Sequence, residues 1–227
     1  MIERNHRARI VRAAAALGIY AAAFGAVFGA VATAAGLSVA QAMVLSLVCF
    51  SGASQFAVVG AAGAAGSLGA VGAALLLGLR NAFYGLTLSH ILTPSGLRRL
   101  WMAEFVIDET TAMTIAQPDP RSARFAFWTS GLTLLVFWNT GSFVGAVVGS
   151  GIDTSAFGLD VAGPAIFLAL LWPQLSRNRG RIIAGGGVVA ALSLVAITPA
   201  GVPILAAAAV AVVGGVIPHR NRGEDPE

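Results

Sequence analysis

The chain contains no lysine, one cysteine and few charged residues of any kind, 11% of its 227 residues. A single thiol, Cys49, excludes an internal disulfide, and its Leu, Val and Phe neighbours mark it as a small apolar filler. So few charges cannot coat a water-facing surface. No GxxxxGK[ST] loop is present, which argues that the chain hydrolyses no nucleotide itself, and no GxSxG elbow announces a serine nucleophile. Hydrophobic residues instead make up 57% of the chain and the mean hydropathy is +0.81, so lipid is the expected solvent. All 14 basic residues are arginine and the net charge is +4. Their positions, in short clusters between apolar runs, fit a topology marker better than a nucleic-acid surface.

Apolar runs of spanning length occur at 13–35, 39–61, 68–92, 125–149, 159–175, 182–198 and 202–217. The first is too long for a signal-peptide core and lacks a cleavage site, so it reads as a retained span. A further stretch, 100–117, is apolar at helical spacing but carries Glu104, Asp108 and Glu109. The arginines at 4–12, 121–124, 177–181 and 220–222 all read as cytoplasmic. Three clear spans separate Arg12 from Arg121, so parity requires either that 100–117 crosses as a fourth span or that an earlier span is re-entrant. Crossing is the preferred reading. It predicts an all-α integral membrane protein of about eight (seven to eight) helices with both termini inside. The organisation is then a cytoplasmic arm at 1–12, one transmembrane transport domain at 13–217 and a cytoplasmic tail at 218–227. The misfit is the pair Arg98 and Arg99, which this arrangement puts outside.

Gly36-Leu-Ser-Val-Ala-Gln aligns with Gly158-Leu-Asp-Val-Ala-Gly, each after a glycine-rich span, which suggests two parallel repeats of four helices. Ser38 and Asp160 sit where helix N-caps are expected.

Polar residues gather in the first half. Ser51-Gly-Ala-Ser-Gln-Phe56 interrupts the second run, with Ser51 and Gln55 on one helix face, Ser54 beside them, and Gly52 and Gly60 allowing the helix to unwind. The hydroxyls could simply tighten helix packing, but a buried amide has four hydrogen-bonding positions to satisfy and a bilayer offers few partners. On the third run Arg80, Tyr84 and Thr87 share a face with Asn81 at its edge. Arg80 lies about 18 Å from the start of that helix at 1.5 Å per residue, too deep to snorkel. An arginine there costs roughly 2.5 to 3.5 kcal/mol on insertion scales, so it lines an interior path, pairs with a carboxylate, or does both. Asp108 or Glu109 is the expected partner, in a proton-coupling or ion-pair role. Glu104, Asp108 and Thr111 share a face if the segment is one helix. Trp101, Trp128 and Trp172 suit interfacial belts, while Trp138 falls mid-span.

Phe50-Ser-Gly-Ala-Ser-Gln-Phe56, Leu79-Arg-Asn-Ala-Phe-Tyr-Gly-Leu86, Asp108-Glu-Thr110, the glycine-rich 141–151 and Gly158-Leu-Asp160 with Pro164 together resemble the AzlC-type large subunit of branched-chain amino acid exporters. The similarity runs over about 13–217 and departs at Asn81-Ala-Phe, where the family tends to carry a histidine and bulkier aliphatics. The resemblance implies export of branched-chain or similar apolar amino acids across the cytoplasmic membrane, beside a separate small AzlD-type membrane subunit. No enzyme activity, no cofactor and no nucleic-acid partner are expected. The residues expected to meet substrate are Ser51, Ser54, Gln55, Phe56, Arg80, Asn81 and Tyr84, between the broken middle of the second helix and the third helix. Two other classes compete: an intramembrane hydrolase using Ser51 or Ser54 with His90, and a structural or regulatory subunit whose activity lives in a partner.

Overall fold

The computed structural model describes residues 3–93, 95–151, 168, 171–198 and 202–217, and every regular element among them is a helix. These are α1 (Arg4–Ala34), α2 (Val39–Val48), α3 (Gly52–Leu92), α4 (Arg98–Glu104), α5 (Asp108–Ile115), α6 (Pro120–Gly151), a 3-10 turn (Trp172–Ser176), α7 (Asn178–Val195) and α8 (Val202–Val216). The all-α class is thus the one adopted. By length and composition α1 and α6 can each cross a membrane. Asp160, Pro164, most of the run 159–175 and the tail 218–227 lie outside the described residues.

α1 and α6 form the central unit, and they run parallel. Arg7 stacks on Phe125 near their starts, Gly18 meets Thr133 and Phe137, Gly25 meets Trp138 and Ser142, and Gly149 meets Ala30 and Thr33 near their ends. The contact is made by small residues at i, i+4. A Cβ on Gly141 would lie 2.0 Å from the Ala22 carbonyl oxygen, and one on Gly145 1.9 Å from that of Ala26. Backbones touch here because no side chain intervenes, which is how helices associate in lipid, where apolar burial supplies no drive. α6 starts on Asp119, whose carboxylate accepts from the Arg121 and Ser122 amides, with Pro120 at the first helical position. The end where α1 and α6 begin carries Arg4, Arg7, Arg9, Arg12, Arg121 and Arg124, and is called the arginine end below.

Two helical hairpins pack on this unit, and here the structure corrects the sequence reading. The run 39–61 is not one span. α2 starts at the opposite end with Ser38 as N-cap in a capping box with Gln41, and it stops at Val48. Cys49 and Ser51 are non-helical (φ −116°, ψ 72° and φ −146°, ψ 101°). α3 then climbs back, because Ala42 of α2 and Phe56 and Val59 of α3 all join Phe28, Val31, Ala32 and Ala146 in one cluster. Phe50, at the tip, instead joins Ala21, Phe105 and Leu134 halfway down. α3 itself doubles back. Ser54 Oγ donates to the Ala74 carbonyl at 3.1 Å across twenty residues, which in a straight helix would span about 30 Å. Its longer arm runs to the arginine end, where Arg124 donates to Thr93 Oγ1 at 3.0 Å.

The segment 100–117 does not cross. It leaves the arginine end after Thr93 and returns there, with His6 and Gln117 in contact at 3.0 Å. It is two short helices, α4 and α5, of 7 and 8 residues, about 10 to 12 Å each and too short to span. Their junction, Phe105 to Ile107, reaches the middle, where Phe105 packs on Phe50, Trp128 and Gly131. The misfit of Arg98 and Arg99 disappears, because both now lie at the arginine end. With the helix broken, Glu104 and Asp108 no longer share a face. Two inverted hairpins, one from each end, meet in the middle.

α7 and α8 form an antiparallel pair joined by Gly187 against Ala207 and Gly214 against Ile183. Arg179 closes it by donating to the carbonyls of Gly214, Gly215 and Ile217. Leu205 touches Gly72 of α3.

Two outcomes follow. Gly145→Leu should cost about 1–3 kcal/mol or more through overpacking, seen as loss of thermal stability in detergent, whereas Gly151→Ala, with nothing within 4 Å of the added methyl, should be neutral. Single cysteines at Leu97 and Gln117, in a Cys49→Ala background, should be labelled by an impermeant maleimide from the same side of the membrane. Labelling from opposite sides would restore the crossing.

Candidate functional site

Each hairpin tip leaves backbone groups without helical partners, and each is closed by one side chain. Gln55 donates from Nε2 to the Cys49 carbonyl at 2.6 Å and accepts at Oε1 from Trp138 Nε1 at 3.2 Å. Thr110 Oγ1 donates to the Phe105 carbonyl at 2.5 Å and accepts from the Ile107 amide at 3.1 Å. The tips are also tied to each other, since the Phe50 amide donates to Glu104 Oε1 at 3.2 Å. Gln55 and Thr110 are both 0% exposed. In a bilayer these closures are obligatory, because no water is present to satisfy freed amides and carbonyls.

Between the tips lies a cavity of 190 Å³. α1 lines it with Tyr20, Ala21 and Phe24, the first tip with Phe50 to Ala53 and Phe56, the long arm of α3 with Arg80, the second tip with Ile107, Asp108 and Glu109, and α6 with Leu134 and Trp138. Its walls are mostly apolar with a few converging polar groups, the usual make-up of a small-molecule site. Arg80 Nη2 lies 2.9 Å from Asp108 Oδ2, with both side chains near 40% exposed. Tyr84, one turn along α3 from Arg80, lies near the same carboxylate. Ser51 Oγ and Arg80 Nε are buried without a partner. Gly52 makes room for the ring of Trp138, whose Cη2 lies 2.8 Å from where a Cβ would stand.

A second cavity, of 320 Å³, lies toward the arginine end between the long arm of α3, α4 and α6. Asn81, Ser89, Arg99, Val106 and Phe127 are among its lining residues. Arg80 and Ile107 face the first cavity and their chain neighbours Asn81 and Val106 face the second, so these two pairs of residues belong to the wall between them.

Of the residues expected from sequence, Ser51, Phe56, Arg80, Asp108 and Glu109 line the first cavity, and Asn81 lines the second. Ser54 and Gln55 line neither. They are bonded to Ala74 and to Cys49 and Trp138 inside the protein. Tyr84 stands behind the Arg80–Asp108 pair. His90 is exposed, with its ring bonded to the Leu86 carbonyl of its own helix. His90, which the hydrolase reading pairs with Ser51 or Ser54, is not among the residues lining the first cavity. Tyr20, Phe24 and Trp138 were not expected in the site. The signal for the first two was the aromatic pair at i, i+4 in an otherwise small-residue helix, with ring centroids 4.6 Å apart.

Converging polar groups at the meeting point of two broken helices are the arrangement in which membrane transporters hold their substrates. The family model described as "AzlC protein" matches residues 16–152. The chain belongs to the AzlC family. Among curated proteins it is 26% identical over 176 residues to an "Uncharacterized membrane protein" of Helicobacter pylori J99, covering 76% of this chain and 77% of that one. A second strain of the same organism, 26695, has a counterpart 27% identical over the same length. It is 24% identical over 150 residues to the "Branched-chain amino acid transport protein AzlC" of Bacillus subtilis, covering 63% of this chain and 58% of that one. No solved structure matches. The chain is a membrane-embedded protein of a transport family.

Gln55→Ala would leave the Cys49 carbonyl and the Trp138 indole unpaired, at about 1–3 kcal/mol each. It should lower thermal stability strongly, and Gln55→Glu should recover only part of it.

Proposed function

We propose that the chain is the large subunit of a secondary transporter that exports branched-chain or similar apolar amino acids across the cytoplasmic membrane. The arginine end and both termini face the cytoplasm, and a small AzlD-type membrane subunit assembles with it. The observation that carries this reading is the cavity at mid-depth between two inverted hairpins, whose polar groups suit a zwitterion and whose walls suit an aliphatic side chain. The charged groups Arg80, Asp108 and Glu109 lie where unpaired ions are expensive, and such groups mark transport paths. The printed name of the Bacillus relative points the same way. The second cavity supplies the approach from the cytoplasm. Ser51, Phe56 and Arg80 meet the substrate. Ser54, Gln55 and Tyr84 hold them in place, and Asn81 stands at the wall between the cavities. Energy comes from an ion gradient.

Phe24, Phe56 and Leu134 offer an aliphatic side chain nothing to hydrogen-bond, so leucine, isoleucine and valine should be separated by only about 1–3 kcal/mol per methylene, giving broad branched-chain export. Arg80 meets Asp108 in the cavity wall at 2.9 Å, and charge-assisted contacts of this kind are the strong ones. Arg80→Ala should lower export of labelled leucine from loaded cells at least about tenfold, with the protein still present in the membrane fraction beside its small subunit. Wild-type export by Arg80→Ala would instead favour a structural or regulatory subunit.

A further inference from the structure

The charges around the first cavity do not balance. Arg80 and Asp108 neutralise each other at 2.9 Å. Glu109, the third charged residue of the lining, has no cation within ion-pair distance among the described residues. The groups that face it are Tyr20 from α1, Arg80 and Tyr84 from α3, and Asp108 on its own helix, while α6 presents Leu134 and Trp138, which do not titrate. A carboxylate at this depth has to carry a proton or hold a counter-cation.

Across the cavity the chemistry is reversed. α3 begins at Gly52, and its N-cap Ser51 makes no side-chain cap bond. Ser51 is 8% exposed, and its Oγ has no partner. The first amides of a helix have no acceptor in their own backbone, and the helix dipole adds partial positive charge to them. Arg80 Nε, also without an acceptor, lines the same cavity. Anionic groups bind such helix starts.

Resting on the amino acid reading above, we infer that the substrate lies with its carboxylate on the Ser51 hydroxyl and the Gly52 and Ala53 amides and its ammonium on Glu109, which holds the exchanged proton when the substrate is absent. Loading is then a swap. The protonated Glu109 side chain gives up its proton to water as the ammonium group arrives, and the ion pair that remains is neutral overall. Unloading on the other side takes a proton back. One proton enters for each amino acid that leaves, and neither can occupy Glu109 while the other does.

The protein assembled with its small subunit in lipid nanodiscs tests this with two probes, L-leucine and 4-methylpentanoate, which is leucine without its ammonium group. Binding is read from tryptophan fluorescence, since Trp138 lines the cavity, and proton release from a pH dye in weak buffer. Wild type should release one proton per leucine bound, and where Glu109 is protonated its affinity should fall about tenfold for each unit by which the pH is lowered. Glu109→Gln should release none, bind leucine at least about tenfold more weakly with no dependence on pH, and bind 4-methylpentanoate no worse than wild type. Glu109→Asp should retain the release, which separates loss of the group from loss of the fold. Ser51→Ala should weaken both probes by a similar factor. Proton release that survives in Glu109→Gln, or leucine binding to wild type without release, overturns the assignment of Glu109. Failure of wild type to bind leucine at all overturns the amino acid reading instead.

Discussion

The close approach of α1 and α6 is the constraint on which the other parts depend. Gly25 and Gly29 on one helix, and Gly141, Gly145 and Gly149 on the other, bring the backbones into direct contact. In lipid this packing has to do what burial does in water. The paired helices present a common wall along their length. One hairpin tip is seated on it through Phe50, Ala21 and Leu134, and the other through Phe105 against Trp128 and Gly131. The arms of the first hairpin are seated on it nearer the opposite end, through Phe28, Val31 and Ala146. If the glycine seam opened, both tips would lose their support together.

The polar residues of the interior divide by whether their bonding is complete. Gln55, Thr110 and Glu104 are consumed in closing the breaks and in tying one tip to the other. A broken helix is tolerated at this depth only on such terms. Ser51, the Nε of Arg80 and the Oδ1 of Asn81 remain without partners, and all three residues line cavities. Thr111 Oγ1 and Asn139 Oδ1 are unpaired as well and line neither cavity, so it is incomplete bonding together with a place in a cavity wall that sets apart the residues able to meet a ligand.

Much of this could be read in the sequence. Composition gave the solvent, Ser38 with Gln41 marked a helix start, the Ser51–Gln55 interruption marked a break, and the depth of Arg80 called for a carboxylate that Asp108 provides. The turning back of the hairpins could not be read the same way. A span is recognised by counting apolar residues, and a helix, a break and a second helix contain as many as one helix that crosses. Only Arg98 and Arg99, on the wrong side of the expected crossing, registered the difference. Glu104 and Asp108 were placed on one face because periodicity presumes an unbroken helix, and Phe105 to Ile107 break it. Tyr20 and Phe24 escaped notice because aromatics are ordinary in apolar helices, and their partners across the cavity are distant in sequence.

The wall between the two cavities is made by Arg80 and Ile107 on one side and Asn81 and Val106 on the other. Where water fills both cavities and each opens to its own side of the membrane, the insulating layer at this point is thinner than the about 30 Å of the bilayer core. An elementary charge carried through the full potential exchanges about 2.3 kcal/mol per 100 mV, and a larger share of that then falls on the residues of the wall. Movements of Arg80 or of a proton near Glu109 would be felt electrically more strongly there than the same movements in an unbroken bilayer.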